Sequence, residues 1–173
     1  MDVGVLYNAT PNDGREGTYA ERVQRLFLVL GHSRAQVEDL SQETFFEAHR
    51  RGGYRTGNMS AKTWLFLVAR QVRKRWRDLH CREQKTQGVI SMHTERTVPP
   101  SFAEDADLRQ MFDVVIARLD DEERQLFVLY FYEQHSREEL ADVFEVPIGT
   151  IDSRTGRLRS KVKALLGAGK GDR

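Results

Sequence analysis

The chain has 173 residues, enough for one medium domain or two small ones, and 39% of them are hydrophobic and 31% charged. That balance is ordinary for a charge-rich helical protein, and no stretch approaches the roughly 18 consecutive apolar residues that cross a bilayer. The N-terminus lacks a basic start followed by an apolar run, and Cys81 is the only cysteine, which excludes an internal disulfide and fits a cytoplasmic protein.

Net charge is only +1, so its distribution carries the information. Arg70, Arg73, Lys74, Arg75, Arg77, Arg82 and Lys85 form one basic run. Arg154, Arg157, Arg159, Lys161 and Lys163 begin a second, and an acidic stretch from Glu104 to Glu145 separates the two. This alternation predicts two separate polyanion contacts with another surface between them.

Residues 1–16 show no periodicity and are expected to be disordered. Thr18 and Glu21 form a capping box, followed by Val23, Leu26, Phe27 and Leu30 at helical spacing, and Gly31 stops the run. Ser33 and Gln36 open a second helix with Val37, Leu40, Thr44, Phe45 and Ala48 on its inner face. Its outer face then offers Glu38, Asp39, Gln42, Glu43 and Phe46, an aromatic anchor with a polar rim.

The glycines between Arg51 and Asn58 mark a loop. Ser60 caps a third helix with Trp64, Leu65, Val68, Ala69, Val72, Trp76 and Leu79 inward, a pattern that fails beyond Gln84. Val98-Pro-Pro-Ser101 reads as the end of a linker. Ser101 and Glu104 open a helix with Leu108, Met111, Phe112, Val115 and Leu119 on one side, and Asp120 and Glu123 cap another around Leu126, Phe127, Leu129 and Tyr130. Ser136 and Glu139 start a short helix, and after Pro147 a last one carries Ile151, Leu158, Val162 and Leu165. No alternating strand pattern of useful length occurs. The expected fold is all-α, two small helical modules joined by a flexible linker.

The last two helices make a helix-turn-helix, which places its second helix in the major groove of DNA. Thr150, Asp152, Ser153, Gly156 and Arg157 then face DNA, with Arg154 and Arg159 near phosphates. The histidines lack zinc-motif spacing and no glycine-rich phosphate loop is present, so no enzyme, catalytic residue, metal or cofactor is expected.

Three segments carry a resemblance. Gln36-Val-Glu-Asp-Leu-Ser-Gln-Glu-Thr-Phe-Phe-Glu-Ala-His49 resembles the polymerase-contacting helix of sigma factors. Lys62 to Arg77, with Trp64 and Ala69-Arg70-Gln71, resembles their promoter-melting helix, and Leu140 to Arg154 their second DNA-binding region. In this order, over about residues 18–82 and 104–166, the set is similar to the small extracytoplasmic-function (group 4) members of the sigma-70 family of RNA polymerase sigma factors.

The resemblance implies a promoter-recognition factor, with a disordered segment at 1–16, sigma region 2 at 17–83, a linker at 84–103, sigma region 4 at 104–167 and a tail at 168–173. It implies core RNA polymerase and promoter DNA as partners, an anti-sigma factor by default, and no membrane insertion. Asp39, Gln42, Glu43 and Phe46 would contact polymerase. Tyr54, Asn58, Lys62, Trp64, Arg70, Gln71, Arg73, Lys74 and Arg77 would capture the melted minus-ten element. Thr150, Asp152, Ser153, Arg154, Arg157 and Arg159 would read the minus-thirty-five duplex.

Some positions depart from the family pattern. Gln71 stands for the usual Asn, Arg75 for a frequent Asp, and Glu145 for a turn Gly. Asp152 replaces a common base and Gly156 a bulky residue; Asp152 either accepts from a cytosine amino group or caps its helix. The alternative reading is a two-module helix-turn-helix regulator that does not join polymerase, which would need neither the Asp39-Gln42-Glu43 face nor the tryptophan-containing basic helix.

Overall fold

Four capping boxes set where the helices begin. Thr18 and Glu21, Ser33 and Gln36, Asp120 and Glu123, and Ser136 and Glu139 each satisfy one another's backbone N–H reciprocally, at 2.7–3.3 Å. Ser60 accepts from the Thr63 backbone N–H at 3.1 Å and starts the longest helix. The computed structural model describes residues 3–14, 16–55, 57, 59–87 and 106–168, and every regular element among them is helical. The linker expected at 84–103 begins inside the helix that ends at Gln87, and the tail expected at 168–173 begins on the last residue of the final helix; residues 88–105 and 169–173 lie outside the described residues.

The N-terminal module comprises α1 (Val3–Asn8), α2 (Tyr19–Val29), α3 (Arg34–Arg50) and α4 (Ala61–Gln87). Val23, Phe27, Val37, Leu40, Leu65, Val68 and Val72 form its core, each at most 4% exposed. Helix α1 differs from the expectation that residues 1–16 lack order. Six residues are too few for a helical period to show in sequence. Its placement rests on Leu6, 1% exposed in the core, and on Tyr7, whose ring meets Phe45 edge-on at 4.9 Å.

The C-terminal module comprises α5 (Ala106–Arg118), α6 (Asp121–Phe127), α7 (Arg137–Phe144) and α8 (Ile148–Ala168). Helix α6 continues as a single π-helical stretch, Val128–Tyr132. That widened turn ends with Glu133 donating its N–H to the Val128 carbonyl at 2.8 Å and leaves Glu133 and His135 buried. The helix-turn-helix expected at the C-terminus is α7–α8, with Leu140, Val143, Ile151 and Leu158 closing its core.

The two modules pack against each other. Helix α4 lies against α7, and the C-terminal core extends into the N-terminal module through Leu26, Val29, Leu30 and Phe66. Phe66 was outside the expected inner face of α4, yet it is 1% exposed and meets the His135 ring at 5.3 Å. Burying a Phe of this kind is worth about 1.5–3 kcal/mol. Leu79, expected inward, is 58% exposed.

The turn between α7 and α8 passes through Glu145 at φ 55 and ψ 44, the left-handed region that favours glycine. Its N–H reaches the Ala141 and Asp142 carbonyls and closes the helix. Replacing Glu145 by Gly should therefore raise stability by about 0.5–1 kcal/mol in urea unfolding. A loss instead would mean that the Glu145 charge acting on Arg70 outweighs the backbone strain.

Candidate nucleic-acid interface and docking face

Helix α3 has two faces that differ completely in burial. Val37, Leu40, Thr44, Phe45 and Ala48 are all buried, as their spacing predicts. Glu38, Asp39, Gln42 and Glu43 are exposed, and Phe46 stands 62% exposed among them. Beside this stripe a groove of about 410 Å³ runs between α3 and α4, lined by Asp39, Leu40, Glu43, Val72, Arg75, Trp76 and Leu79. Its apolar floor and acidic rim are what an anchor for another protein requires.

The basic face of α4 is divided by the module junction. Lys74 is exposed, but Arg73 is only 5% exposed. The Arg73 guanidinium donates to both Asp121 carboxylate oxygens and, through Nε, to His32 Nε2 at 2.8 Å. Arg77 donates to the same carboxylate. Arg70 lies over the Phe144 ring at 4.7 Å with Glu122 at 3.9 Å. Lys62 donates to the Glu133 carbonyl at 3.1 Å and reaches Asp13 at 3.4 Å. Sequence spacing placed Arg70, Arg73, Lys74 and Arg77 off the apolar seam; it held no signal that Asp121 and Glu122 of the same chain pair with the three arginines.

Tyr54 packs near Trp64, rings 5.9 Å apart, and its hydroxyl donates to the Met59 carbonyl at 2.7 Å. Asn58 lies outside the described residues. Gln71 accepts from Arg51 at 2.9 Å, and Arg51 is held by buried Glu47 at 2.8 Å. Arg75 sits 3.6 Å from the same Glu47 carboxylate. Three arginines, counting Arg50 at 2.7 Å, thus gather on one buried acid.

On α8, Asp152, Ser153, Gly156 and Arg157 are exposed in one row while Ile151, Thr155 and Leu158 face inward. Thr150 is half-buried at the start of the row. Arg154 is drawn to Glu122 at 3.2 Å, and Arg159 lies over the Tyr130 ring at 5.0 Å and donates to its hydroxyl. Asp152 is the fifth residue of α8, past the first turn, and its carboxylate accepts from Arg137 Nη1 at 3.0 Å. Its observed partner is therefore the other helix of the pair rather than the α8 terminus.

Two histidines sit at the junction. Burial, then Arg73, holds the His32 imidazole down to about 4, consistent with its ring nitrogen accepting from a guanidinium. Burial, then Lys62, does the same for His135, also to about 4. Among the described residues no group of three His, Cys, Asp or Glu side chains could hold a metal ion, and no helix is long and apolar enough to cross a membrane.

A helical module with an open acid-rimmed aromatic face and a basic helix, followed by a helix-turn-helix, defines a two-part transcription factor that meets both a protein and DNA. Family models agree: residues 17–84 match sigma-70 region 2 and residues 109–162 match sigma-70 region 4, together more than two thirds of the chain. The chain is 26% identical to the extracytoplasmic-function sigma factor SigW of Bacillus subtilis, over 86% of this chain and 84% of that one. It is 25% identical to the sigma-H factor of Pseudomonas aeruginosa, over 86% and 82%. Among solved structures it resembles the sigma factor RpoE of Bartonella quintana, crystallised with the anti-sigma factor NepR, at 25% identity and a TM-score of 0.68, covering 90% of this chain and 94% of that one. CnrH, solved with the cytosolic domain of CnrY, shares the fold at 21% identity and a TM-score of 0.59, over 87% and 83%. The chain belongs to the sigma-70 family, in its extracytoplasmic-function group, and is an RNA polymerase sigma factor.

Two outcomes follow from this geometry. Both junction histidines are neutral in the fold but have an ordinary value near 6.5 when unfolded. Between pH 6.5 and about 4 the unfolded chain binds more protons, so stability present above pH 6.5 is lost as pH falls toward 4. A urea midpoint unchanged from pH 7 to 5 would contradict this. Gly156 has open space where a Cβ would stand. Gly156→Ala should stabilise α8 by about 0.5–1 kcal/mol, the usual cost of a helical glycine. If the stabilised variant binds minus-thirty-five duplex more weakly by fluorescence anisotropy, the missing side chain serves close approach to DNA; equal binding means it does not.

Proposed function

We propose that this sigma factor docks on core RNA polymerase through Asp39, Gln42, Glu43 and Phe46, and that the observation carrying this is the exposed stripe, Phe46 included, on a helix whose other face is buried. Aromatic anchors with a polar rim dominate the energetics of protein interfaces. The factor acts in the cytoplasm and performs no chemistry of its own; promoter melting is driven by binding energy, with extruded bases held by stacking and edge contacts.

In this reading α4 tracks the melted minus-ten strand, with Lys62, Arg70, Arg73, Lys74 and Arg77 on phosphates and Gln71, Trp64, Tyr54 and Asn58 at the base pocket. The row Thr150, Asp152, Ser153 and Arg157 enters the major groove at the minus-thirty-five element, with Arg154 and Arg159 toward the backbone. Arg137 is set by Asp152 and belongs with these contacts. An anti-sigma factor as inhibitor is supported by the NepR-bound RpoE among the similar structures.

Glu43→Lys should weaken binding to core polymerase by about 2 kcal/mol, as loss of an interface hot spot does. The measurement is a titration against purified core, with circular dichroism to show that the helices persist. Undiminished affinity in a folded variant would move the docking face elsewhere.

A further inference from the structure

We propose that Arg51 and Gln71 together form an edge of hydrogen-bond donors, and that this edge selects against adenine at a single position of the melted minus-ten strand. The inference rests on the reading of Gln71 as a base-pocket residue given above and deepens it by naming the base the pair refuses. Arg51, at the C-terminal cap of α3, donates through Nη2 to Gln71 Oε1 at 2.9 Å. A side-chain amide alone is ambiguous, because its oxygen and nitrogen exchange places by rotation. Beside a guanidinium only one orientation is satisfied: the oxygen meets the cation and the NH2 group points away from it.

Arg51 is itself held. Its Nε donates to Glu47 Oε1 at 2.8 Å, and Glu47 is 4% exposed. Arg50 and Arg75 reach the second oxygen of the same carboxylate, at 2.7 and 3.6 Å, so both of its oxygens are engaged. These bonds use two of the five N–H groups of Arg51, and the rest are donors as well. Three arginines against one acid also leave the cluster basic, which suits the neighbourhood of a phosphate chain. Adenine has its edge acceptors, N1 and N7, on either side of the N6 amino group. A free glutamine amide matches that edge, giving N–H to the ring nitrogen and accepting from the amino group. Here an amino group approaching Oε1 comes alongside the Arg51 guanidinium, donor against donor. Guanine with O6 and N7, and thymine with O4, offer acceptors with no amino group beside them. Gln71 thus touches the base, while Arg51 and Glu47 are positioning residues that set its polarity.

The test uses holoenzyme assembled from the full chain and core polymerase. Single-stranded oligonucleotides randomised across the minus-ten region are retained on it, sequenced and aligned. Wild type should deplete adenine at one position. Arg51→Met keeps the side-chain stem and removes the guanidinium, so adenine at that position should rise about tenfold, within what a bidentate amide–adenine pair contributes. Gln71→Glu keeps a bond to Arg51 but presents an acceptor, so the amino bases adenine and cytosine should be enriched there. A wild-type pool with no adenine depletion, or an Arg51→Met pool with wild-type base frequencies, overturns the proposal. So does weaker retention of all sequences alike by Arg51→Met, which makes Arg51 a phosphate contact. Should Arg51→Met lose helicity by circular dichroism, Gln71→Glu decides, and an unchanged adenine depletion in that pool overturns the donor edge. Gln71→Leu separates the two failures. Where it erases the preference at one position and Arg51→Met does not, only the role of Arg51 is lost; where it changes no position, the base-pocket reading of Gln71 falls as well.

Discussion

Arg22 is 1% exposed, and its guanidinium is divided between Glu133, also 1% exposed, and Asp13. A guanidinium removed from water this far survives only if its N–H groups are met, and carboxylates from two distant parts of the chain meet them. Desolvation cancels much of the attraction within such a cluster, so it adds little net stability over an apolar contact of the same size. Removing one partner is different: an uncompensated buried charge costs about 3–5 kcal/mol. The arrangement is therefore selective rather than strong. It ties α2 to the end of the π-helical stretch, and Phe66 meets the His135 ring two residues further on.

Local information in the sequence was sufficient for local structure. The capping boxes at Thr18, Ser33, Asp120 and Ser136 are short-range patterns, and each appears at its expected place. The two faces of α3 also followed from helical period alone, because a solvent-facing stripe and a core stripe obey different chemistry. What escaped depends on the other module. Phe66 and Arg73 both lie off the expected seam of α4, and both are buried in the fold, where α4 packs against α7 and Arg73 pairs with Asp121. The alternating charge blocks were legible as blocks; that Asp121 and Glu122 of the acidic one would pair with Arg70, Arg73 and Arg77 of the first basic one is a long-range match no window of sequence contains. Helix α1 was missed for the opposite reason, since it is too short to carry a period and depends on one buried leucine.

Departures from the family pattern have local partners in the fold. Arg75 replaces a frequent Asp, and it finds Glu47, which also holds Arg50 and Arg51. Through Arg51 the same acid orients Gln71, the residue that stands for the usual Asn. The Arg51 bond holds the Glu47 carboxyl below its usual range despite burial, so the cluster stays ionised and keeps its geometry through ordinary pH. The Asp152 carboxylate, anomalous beside DNA, is likewise part of a pair with Arg137, which lessens the repulsion a lone acid would meet. Each of these departures is paired in the fold: Arg75 with Glu47, Gln71 with Arg51, and Asp152 with Arg137.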